Sequence, residues 1–391
     1  MSRSAVRTRV ILATRLFPPE PSAAAFRVAA LAEGLVRGGA DVTVLTTKPP
    51  KSAAATPDPT GMRVRRWPVL RDRSESIRGY VQYASFDIPL FFRMLLHPAD
   101  VIVAEAPPTT GLVALVVARL RRLPFVYYPG DVWTDGLIAM GASRPIVATM
   151  RWIESRVVRG ASRILAVSPE VAERFHALGA PADHIDEIGN GIDTTIFRTD
   201  LDAPAVPRPY FVYTGTMSEW QRPEVFVEAL AEAGDGVDLR FFGQGTSAVA
   251  VRVLAERTVP GRVHHGGLVS AAESARWIRG AVASLVSIVP GVGYDFARPT
   301  KTYAAAACGT PVVYAGGATG AALVRDGNLG EAVEFSPGAI AAAMRRMLVA
   351  VADGSTERLR DARATWARDH VSLAAVGDRA ASAVLASRRA S

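Results

Sequence analysis

A lysine beside a predicted helix start is the strongest chemical signal in the sequence. The segment Arg298-Pro299-Thr300-Lys301 leads into an alanine-rich stretch that stops at Gly309. Pro299 and Thr300 are typical of helix starts, and a helix N-terminus presents free N–H groups and a positive dipole to an anion. Lys301 would add a compact positive charge, which suits a phosphate better than a planar carboxylate. The segment predicts a phosphate site; the alternative is a solvated lysine beside an ordinary cap.

The rarity of lysine favours the functional interpretation. The chain has 45 lysine and arginine residues, but the lysines are only Lys48, Lys51 and Lys301. Arginine therefore supplies almost every generic positive charge. A lysine at position 301 departs from that usage, and the departure points to a specific role.

Two glycine turns follow predicted strands in the second half of the chain. Gly215 and Thr216 come after the strand 210–214, with Gln221 and Arg222 a few residues further on. Gly243 follows the strand 239–242. Glycine lets a backbone approach a ligand closely, and a nearby arginine could reach the same anion. Each turn could equally be a plain connection to the next helix.

Two loops in the first half carry polar and aromatic residues after strands. The first, 17–22, contains Glu20 and three prolines, Pro18, Pro19 and Pro21, whose rings would stiffen the loop. The second, 128–135, supplies two carboxylates and an indole, from Asp131, Asp135 and Trp133. These groups could bind sugar hydroxyls, or the two aspartates could cap turns. Their place after a strand favours a site.

These segments are positioned by a repeating α/β pattern. Strand-like runs alternate with helix-length amphipathic segments, which predicts seven strands before residue 200 and six after residue 209. Residues 200–209 include three prolines and are predicted to be a linker. We expect an α/β protein of two facing Rossmann-like doubly wound domains, 1–204 and 205–391, with a cleft between them. The arginine-rich C-terminal helix could pack back on the first domain.

The amino-acid composition further limits the type of protein that this chain can form. With 391 residues, 49% hydrophobic and 21% charged, the chain can build two globular cores. Its apolar runs fall short of the roughly 20 residues that span a bilayer, and no signal peptide is recognisable. The single cysteine, Cys308, excludes an internal disulfide. These features predict a cytoplasmic protein.

The net charge of +8 leaves nucleic acid, an anionic membrane or a phosphorylated ligand as partners. Nucleic-acid binding is not expected, because no recognition helix or aromatic-basic platform accompanies the charge. No metal is expected either. His264 and His265 are adjacent rather than on one helix face, and neither a Walker loop nor a Gly-x-Ser-x-Gly motif occurs.

Taken in order, the motifs resemble those of retaining glycosyltransferases of family 4, which have the GT-B fold. The resemblance covers essentially the whole chain. It runs through Phe17-Pro-Pro-Glu20, Pro107-Pro-Thr-Thr-Gly111, Asp131-Val-Trp133, Val167-Ser168, Asn190-Gly-Ile-Asp193, Tyr213-x-Gly215, Phe242-Gly-Gln-Gly245, Pro299-Thr-Lys301 and Gly309-Thr-Pro-Val-Val313. The branch it looks most like contains bacterial exopolysaccharide and O-antigen enzymes that use UDP-sugars.

The resemblance implies a transferase that needs no metal and no cofactor. Lys301 would neutralise the departing diphosphate, and attack from the front face would retain the anomeric configuration. Asp131, Asp295 and Lys301 are then the candidate catalytic residues. The donor would contact Gly215, Thr216, Gln221, Arg222, Gly243, Arg298, Thr300 and Lys301. A saccharide, lipid-linked or small-molecule acceptor would contact Pro19, Glu20, Trp133 and Asp135.

The sequence also departs from the family pattern. Asp295 replaces the first of two glutamates near the donor, and Ala304 replaces the second, which normally holds the ribose. Gly130 stands where the family often has a histidine, and the first loop reads Ser22-Ala-Ala-Ala25 instead of a glycine-rich run. These departures favour an alternative function: a catalytically silent GT-B protein that binds a nucleotide or a partner enzyme.

A basic, then aromatic segment, 63–96, suggests contact with the inner face of the cell membrane. It contains arginines at positions 63, 65, 66, 71, 73 and 78, followed by the aromatic-rich run 80–96. Such a surface suits an anionic bilayer and a lipid-linked acceptor. The alternative is that the arginines are solvated and the aromatic residues belong to the core.

Overall fold

The computed structural model describes residues 7–20, 22–50, 57–72, 75, 77 and 79–388. The chain divides into two compact units, of which the first combines Met1–Asn190 with Leu373–Ser391 and the second is Gly191–Ser372. Each unit has its own parallel sheet covered by helices, so the predicted pair of Rossmann-like domains is confirmed.

The first unit is built on a seven-stranded sheet in the order β3-β2-β1-β4-β5-β6-β7. Its strands are β1 (Arg9–Ala13), β2 (Asp41–Thr47), β3 (Arg63–Trp67), β4 (Val101–Glu105), β5 (Phe125–Tyr128), β6 (Arg163–Ala166) and β7 (Ile185–Glu187). The central strands are buried on both faces, as their continuous apolar runs predict. The chain order reverses between β1 and β4, and ligands of open α/β sheets bind at such a switch point.

Seven helices cover this sheet within the described residues of the unit. They are α1 (Ala23–Arg37), α2 (Tyr80–Leu96), α3 (Pro108–Arg121), α4 (Trp133–Ala139), α5 (Arg144–Gly160), α6 (Pro169–Ala177) and the C-terminal α15 (Leu373–Ser387). Ser22 is the N-cap of α1, where its side chain accepts a hydrogen bond from the Ala25 N–H. Pro21, in the loop before it, lies outside the described residues.

The second unit repeats the plan with six strands in the order β10-β9-β8-β11-β12-β13. They are β8 (Tyr210–Thr214), β9 (Asp238–Phe242), β10 (Val263–Gly267), β11 (Ser284–Ser287), β12 (Val312–Ala315) and β13 (Gly330–Val333). Its helices are α7 (Glu224–Ala233), α8 (Ala248–Thr258), α9 (Ala271–Arg279), α10 (Thr300–Ala307), α11 (Ala318–Asp326), α12 (Pro337–Ala352), α13 (Ser355–Arg358) and α14 (Arg360–Val371). The switch point of this sheet lies between β8 and β11.

The boundary between the units differs from the predicted one. It lies at Asn190–Gly191 rather than at 204–205, and the proline-rich segment 200–209 belongs to the second unit. Leu201 and Val206 pack against the core there. Arg276 also donates a hydrogen bond to the Asp202 carbonyl at 3.0 Å. Prolines in this segment therefore mark an extended strap on the second unit.

The C-terminal helix α15 belongs to the first unit, where it packs on α1. The two helix backbones touch where glycines face each other, since a Cβ on Gly34 would lie 2.5 Å from the Gly377 carbonyl oxygen. Arg379 on α15 also donates to the Ile188 carbonyl at 2.9 Å. The expectation that the C-terminal helix could pack back on the first domain is confirmed, and the second unit ends at Ser372 because close packing of small residues binds α15 to the first unit.

Candidate active site

Helix α10 begins as the sequence predicts. Thr300 is its first residue, and Pro299 at the N-cap makes no side-chain hydrogen bond to the first turn. The first-turn N–H groups are therefore not satisfied by a capping side chain, which leaves them suited to an anion. Arg298 lies just before this turn and is half-buried.

The Lys301 ammonium group contacts the loop after β8. Its Nζ donates to Tyr213 Oη at 2.7 Å, to the Thr216 carbonyl at 3.0 Å and to Gln221 Oε1 at 3.2 Å. It also lies 3.9 Å from the centroid of the Tyr213 ring. Burial lowers the pKa of Lys301 to about 7. Because the pKa is lowered, an anion placed beside this amine would favour its charged form.

Two glycine turns make this arrangement possible. Gly215 and Gly243 have positive φ angles of 102° and 131°. The Gly215 N–H donates to the Phe242 carbonyl at 2.8 Å, and a Cβ on Gly243 would clash with the Gly215 carbonyl oxygen. The turns after β8 and β9 therefore pack backbone against backbone. A Cβ on Gly215 would lie 3.3 Å from Lys301 Cε, so the lysine stem packs on this glycine.

Gln221, rather than Arg222, contacts Lys301. Arg222 has a left-handed φ of 42° and pairs with Glu228 at 3.4 Å. Its guanidinium also lies 5.9 Å from the centroid of the Phe335 ring. Of the predicted donor-binding residues, the structure thus brings together Gly215, Thr216, Gln221, Gly243, Thr300 and Lys301, and it directs Arg222 to a separate carboxylate.

Asp295 is engaged within its own loop. Both of its carboxylate oxygens accept the Gly291 N–H at 3.0 Å, and a Cβ on Gly317 would lie 2.9 Å from Oδ1. The neighbouring Tyr294 stacks on Trp220 with ring centroids 4.8 Å apart. Asp295 therefore helps to shape the loop between β11 and α10.

Ala304, at the position of the second family glutamate, lies in the apolar core beside α9 and α14. Only 5% of its surface is exposed. No carboxylate comes from this turn of α10.

Two predicted acceptor residues of the first unit are held by ion pairs. Glu20 pairs with Arg71 through both oxygens, at 2.9 and 3.3 Å. Asp135 lies 3.4 Å from Arg174. The Pro18–Pro19 peptide bond, directly before Glu20, is cis. Glu20 and Asp135 each therefore have an arginine partner within the first unit.

Asp131 and Trp133 lie at the start of α4. Asp131 is exposed, whereas Trp133 is half-buried and donates its backbone N–H to Glu154 at 2.9 Å. Glu154 also accepts from the Thr134 N–H and hydroxyl, at 3.0 and 2.6 Å. A buried glutamate from α5 thus caps α4 and fixes Trp133, and burial raises its pKa.

A charged cluster near the ends of β1, β4 and β5 escaped the sequence prediction. Arg27 on α1 pairs with Glu105 at 3.2 Å, and both side chains are buried. The Thr14 hydroxyl donates to the other Glu105 oxygen at 3.3 Å, and Arg15 is buried beside it. Burial raises the pKa of Glu105, while Arg27 and Arg15 oppose the rise. The available signal was Glu105 itself, a carboxylate that ends an otherwise apolar strand.

Both units match models of glycosyltransferase domains. Residues 22–191 match the glycosyl transferase 4-like domain, and residues 208–350 match the glycosyl transferases group 1 domain. Together with the two parallel Rossmann-like sheets, these matches class the chain as a glycosyltransferase of GT-B fold.

Curated relatives agree with this class. The D-inositol 3-phosphate glycosyltransferase of Arthrobacter sp. (strain FB24) is 27% identical over 309 residues, which cover 73% of this chain and 72% of the relative. The protein of the same name from Frankia alni is 26% identical over 335 residues, which cover 74% of this chain and 76% of that relative.

Solved structures share the fold at low sequence identity. Anabaena HepE in complex with UDP and glucose has a TM-score of 0.69 at 15% identity, covering 97% of this chain and 100% of that chain. Sucrose-phosphate synthase from Thermosynechococcus elongatus has a TM-score of 0.72 at 17% identity, covering 95% and 96%. No helix in the described part of the chain has the length and apolar character needed to cross a bilayer.

Proposed function

We propose that this protein transfers a sugar from a nucleotide diphosphate sugar, with UDP as the favoured nucleotide, and retains the anomeric configuration. The observation that carries the proposal is the Lys301 ammonium group, held at the start of α10 against the turn after β8. The HepE structures with UDP and with UDP-glucose support this choice of donor, since they share the fold.

In the proposed sugar transfer, the second unit must stabilise the leaving nucleoside diphosphate. The bond between the sugar C1 and the β-phosphate oxygen breaks, and its electron pair leaves with the nucleotide. A hydroxyl oxygen of the acceptor bonds to C1 on the same face, and its proton passes to the departing phosphate. Negative charge grows on the β-phosphate, where the Lys301 charge and the first-turn amides of α10 would act electrostatically.

The Lys301 contacts indicate how the diphosphate would enter. An ammonium group has three N–H donors, and all three are used by Tyr213, Thr216 and Gln221. The longest of these bonds, 3.2 Å to Gln221 Oε1, is the one that a phosphate oxygen would replace. Because a phosphate favours the charged amine, binding would raise the Lys301 pKa and retain its proton.

The proposed acceptor is a saccharide, lipid-linked or small-molecule hydroxyl compound, in keeping with exopolysaccharide assembly. Its predicted contacts, Pro19, Glu20, Trp133 and Asp135, are in the first unit. Asp131 stays a predicted catalytic residue there, as Asp295 does in the second unit. We infer that no metal takes part, because a lysine and helix amides supply the positive charge that a metal would otherwise provide.

A nucleotide-sugar screen tests the donor site. UDP-, GDP-, dTDP- and ADP-sugars are compared by thermal shift on wild-type protein, Lys301→Ala and Lys48→Ala. We expect UDP-sugars to raise the Tm of wild type and of Lys48→Ala, whose lysine is exposed in the first unit, but not of Lys301→Ala. Donor turnover should be the same with EDTA as with Mg²⁺. Equal shifts in all three proteins would refute the assigned site.

A silent binding protein is the second candidate, and Ala304 favours it. A buried alanine supplies no carboxylate to hold a ribose or to orient a donor sugar. The same screen separates the two functions when hydrolysis and transfer are measured beside binding. Nucleotide binding without turnover of any donor would support the silent binding protein and refute the transferase function.

We also propose peripheral contact with an anionic membrane through α2 and β3. One face of α2 buries Phe86, Leu90 and Met94, so part of the apolar run is core. Six large apolar side chains of α2 are exposed, which are those of Tyr80, Val81, Ile88, Phe92, Leu95 and Leu96. They form an apolar surface suited to a lipid interface.

Basic residues border this apolar surface. Arg93 donates to the Arg65 carbonyl at 2.6 Å and joins α2 to β3, from which Arg63 and Arg65 point outward. Arg71 is instead held by Glu20. The predicted arginines Arg73 and Arg78 lie outside the described residues.

Vesicle sedimentation tests the membrane contact. The double substitution Phe92→Ser and Leu96→Ser should abolish binding to phosphatidylglycerol vesicles, and wild type should not bind phosphatidylcholine vesicles. The matched control is Val249→Ser with Val253→Ser, two exposed apolar residues on α8 of the second unit. Equal binding by both double variants would contradict the proposal.

A further inference from the structure

Arg15 and Arg27 place two buried guanidinium groups in the first unit, close to the carboxyl ends of its central strands. Only one of them has a carboxylate within ion-pair distance, since Arg27 pairs with Glu105 at 3.2 Å. Arg15 makes no ion pair or side-chain hydrogen bond in the described part of the chain, and its Nε is buried without a partner. A buried Nε–H without a partner is costly, and the two terminal NH2 groups of Arg15 remain open to an incoming ligand.

Aromatic rings hold the Arg15 guanidinium in place. It lies 4.1 Å from the centroid of the Tyr83 ring and 5.9 Å from that of Trp133. The two rings meet edge to face with centroids 6.1 Å apart. Such contacts orient the guanidinium without using its N–H donors, which stay available for a planar or tetrahedral oxyanion.

Gly130 is explained by the second guanidinium. A Cβ at this position would lie 2.5 Å from Arg27 Nη1, so Arg27 occupies the space that a side chain at residue 130 would need. Arg27 also lies 4.8 Å from the centroid of the Tyr128 ring at the end of β5.

The acidic groups of the cluster are bonded to partners other than Arg15. Glu105 accepts from Arg27 and Thr14, and Asp87 accepts from the Thr110 hydroxyl at 2.6 Å. Burial raises the pKa of both carboxyl groups, while the charge of Arg15 opposes the rise in each case. Arginine stays charged at any physiological pH. An anion placed against Arg15 would therefore complete the cluster.

We propose that Arg15, with Arg27 behind it and Tyr83 and Trp133 beside it, binds the oxyanion of an acidic saccharide acceptor. The oxyanion is a carboxylate or a phosphate, two groups that the guanidinium fork matches with paired hydrogen bonds. The aromatic rings would contact the sugar that carries it. The ligand's identity as acceptor rests on the proposed transferase function.

Binding of three matched sugars tests the site without any donor. Glucose, glucuronate and glucose 6-phosphate differ at one substituent, and each is titrated into full-length Lys301→Ala protein by calorimetry. The Lys301→Ala background weakens binding of an anion at the predicted donor site. We expect at least one acidic sugar to bind about tenfold or more tightly than glucose, and the tighter of the two identifies the group.

Arg15→Lys keeps the charge but removes the fork, so the preference for the acidic sugar should fall about tenfold. Arg37→Lys, an exposed arginine of the same unit paired with Asp378, is the control and should change nothing. If Arg15→Lys lowers the Tm, Trp133→Phe provides a second test. The ligand-induced change in tryptophan fluorescence should disappear in that variant.

Glucose binding as tight as both acidic sugars would overturn the proposal. An unchanged preference in Arg15→Lys, or a fluorescence response that persists in Trp133→Phe, would do the same. Since no nucleotide sugar is present, these results are independent of the donor screen. A failed donor screen with Arg15-dependent binding would remove the acceptor role and leave the oxyanion site.

Discussion

The two units place positive charge at their strand ends by different means. In the second unit, a lysine with a pKa near 7 lies against turns of glycine backbone. In the first unit, two buried arginines surround one glutamate and pack on aromatic rings. A lysine charge adjusts to its ligand, whereas an arginine charge does not. Under the proposed function, the donor site would gain charge when a diphosphate binds, whereas the proposed oxyanion site carries a permanent charge.

The same comparison applies to the two glycines that make room for these charges. Gly243 faces a carbonyl oxygen of the backbone, which cannot move without shifting the turn after β8. Gly130 faces the tip of the flexible Arg27 side chain. Substitution should therefore be far more damaging in the second unit than in the first.

The largest expected effect is that of Gly243→Ala. The new methyl would clash with the Gly215 carbonyl oxygen, and the φ of 131° disfavours any side chain. We expect the free energy of unfolding of the second unit to fall by about 3 kcal/mol or more, with loss of UDP binding. Chemical denaturation and calorimetry measure both. Gly236→Ala, which meets no atom within 4 Å, is the control. Equal stability of the two variants would show that the glycine turns are not the rigid frame of this site.

The next effect is the pH dependence of UDP binding. In the protein without UDP, Lys301 has a pKa of about 7, and a bound diphosphate would raise this pKa. The protein should therefore take up a proton when it binds UDP above pH 7. Between pH 7.5 and 9, wild-type affinity should fall by up to about tenfold per pH unit. Lys301→Arg should bind with little pH dependence, because its guanidinium does not titrate there. Calorimetry in buffers of different ionisation enthalpy measures the proton uptake, and the absence of uptake in wild type would contradict the adjustable charge.

The ligand-free protein should show the opposite trend in stability. The folded pKa of Lys301 lies below the value of an unfolded lysine, so the unfolded chain binds more protons between pH 7 and about 10. The contribution of Lys301 to the free energy of unfolding therefore rises with pH in this window. Denaturation of wild type and Lys301→Met at several pH values isolates it; identical pH slopes would argue against the lowered pKa.

The smallest expected effect is that of Gly130→Ala. Its methyl would push the tip of the Arg27 side chain aside without breaking the pair with Glu105, at a cost of about 1 kcal/mol in unfolding free energy. Binding of the acidic sugar should weaken a few-fold, as Arg27 no longer supports Arg15. Gly136→Ala, in open space on α4, should be neutral or slightly stabilising. A loss as large as that of Gly243→Ala would remove the distinction between the two sites.

Sequence reasoning was strongest where a local pattern carried the information. The apolar runs predicted both parallel sheets. Pro299 and Thr300 placed the start of α10 correctly. It was weakest where the partner is distant in sequence. Arg222 was the expected companion of Lys301, yet a left-handed backbone turns it to Glu228 and leaves Gln221 beside the ammonium.

The domain boundary shows the same limit. Prolines at 200–209 resemble a linker locally, but side chains of the second unit hold that segment. The sequence had an earlier turn signal at Asn190-Gly191, which is where the units divide.

The amino-acid sequence by itself determined the strands, the helix starts, the rarity of lysine and the order of motifs, because these depend on neighbours within a few residues. Only the tertiary structure decided that Lys301 donates a hydrogen bond to Tyr213, that Arg27 occupies the space beside Gly130, and that α15 packs in the first unit. Burial, and with it the pKa values and unpartnered donors that define a site, depends on which distant segments exclude water together.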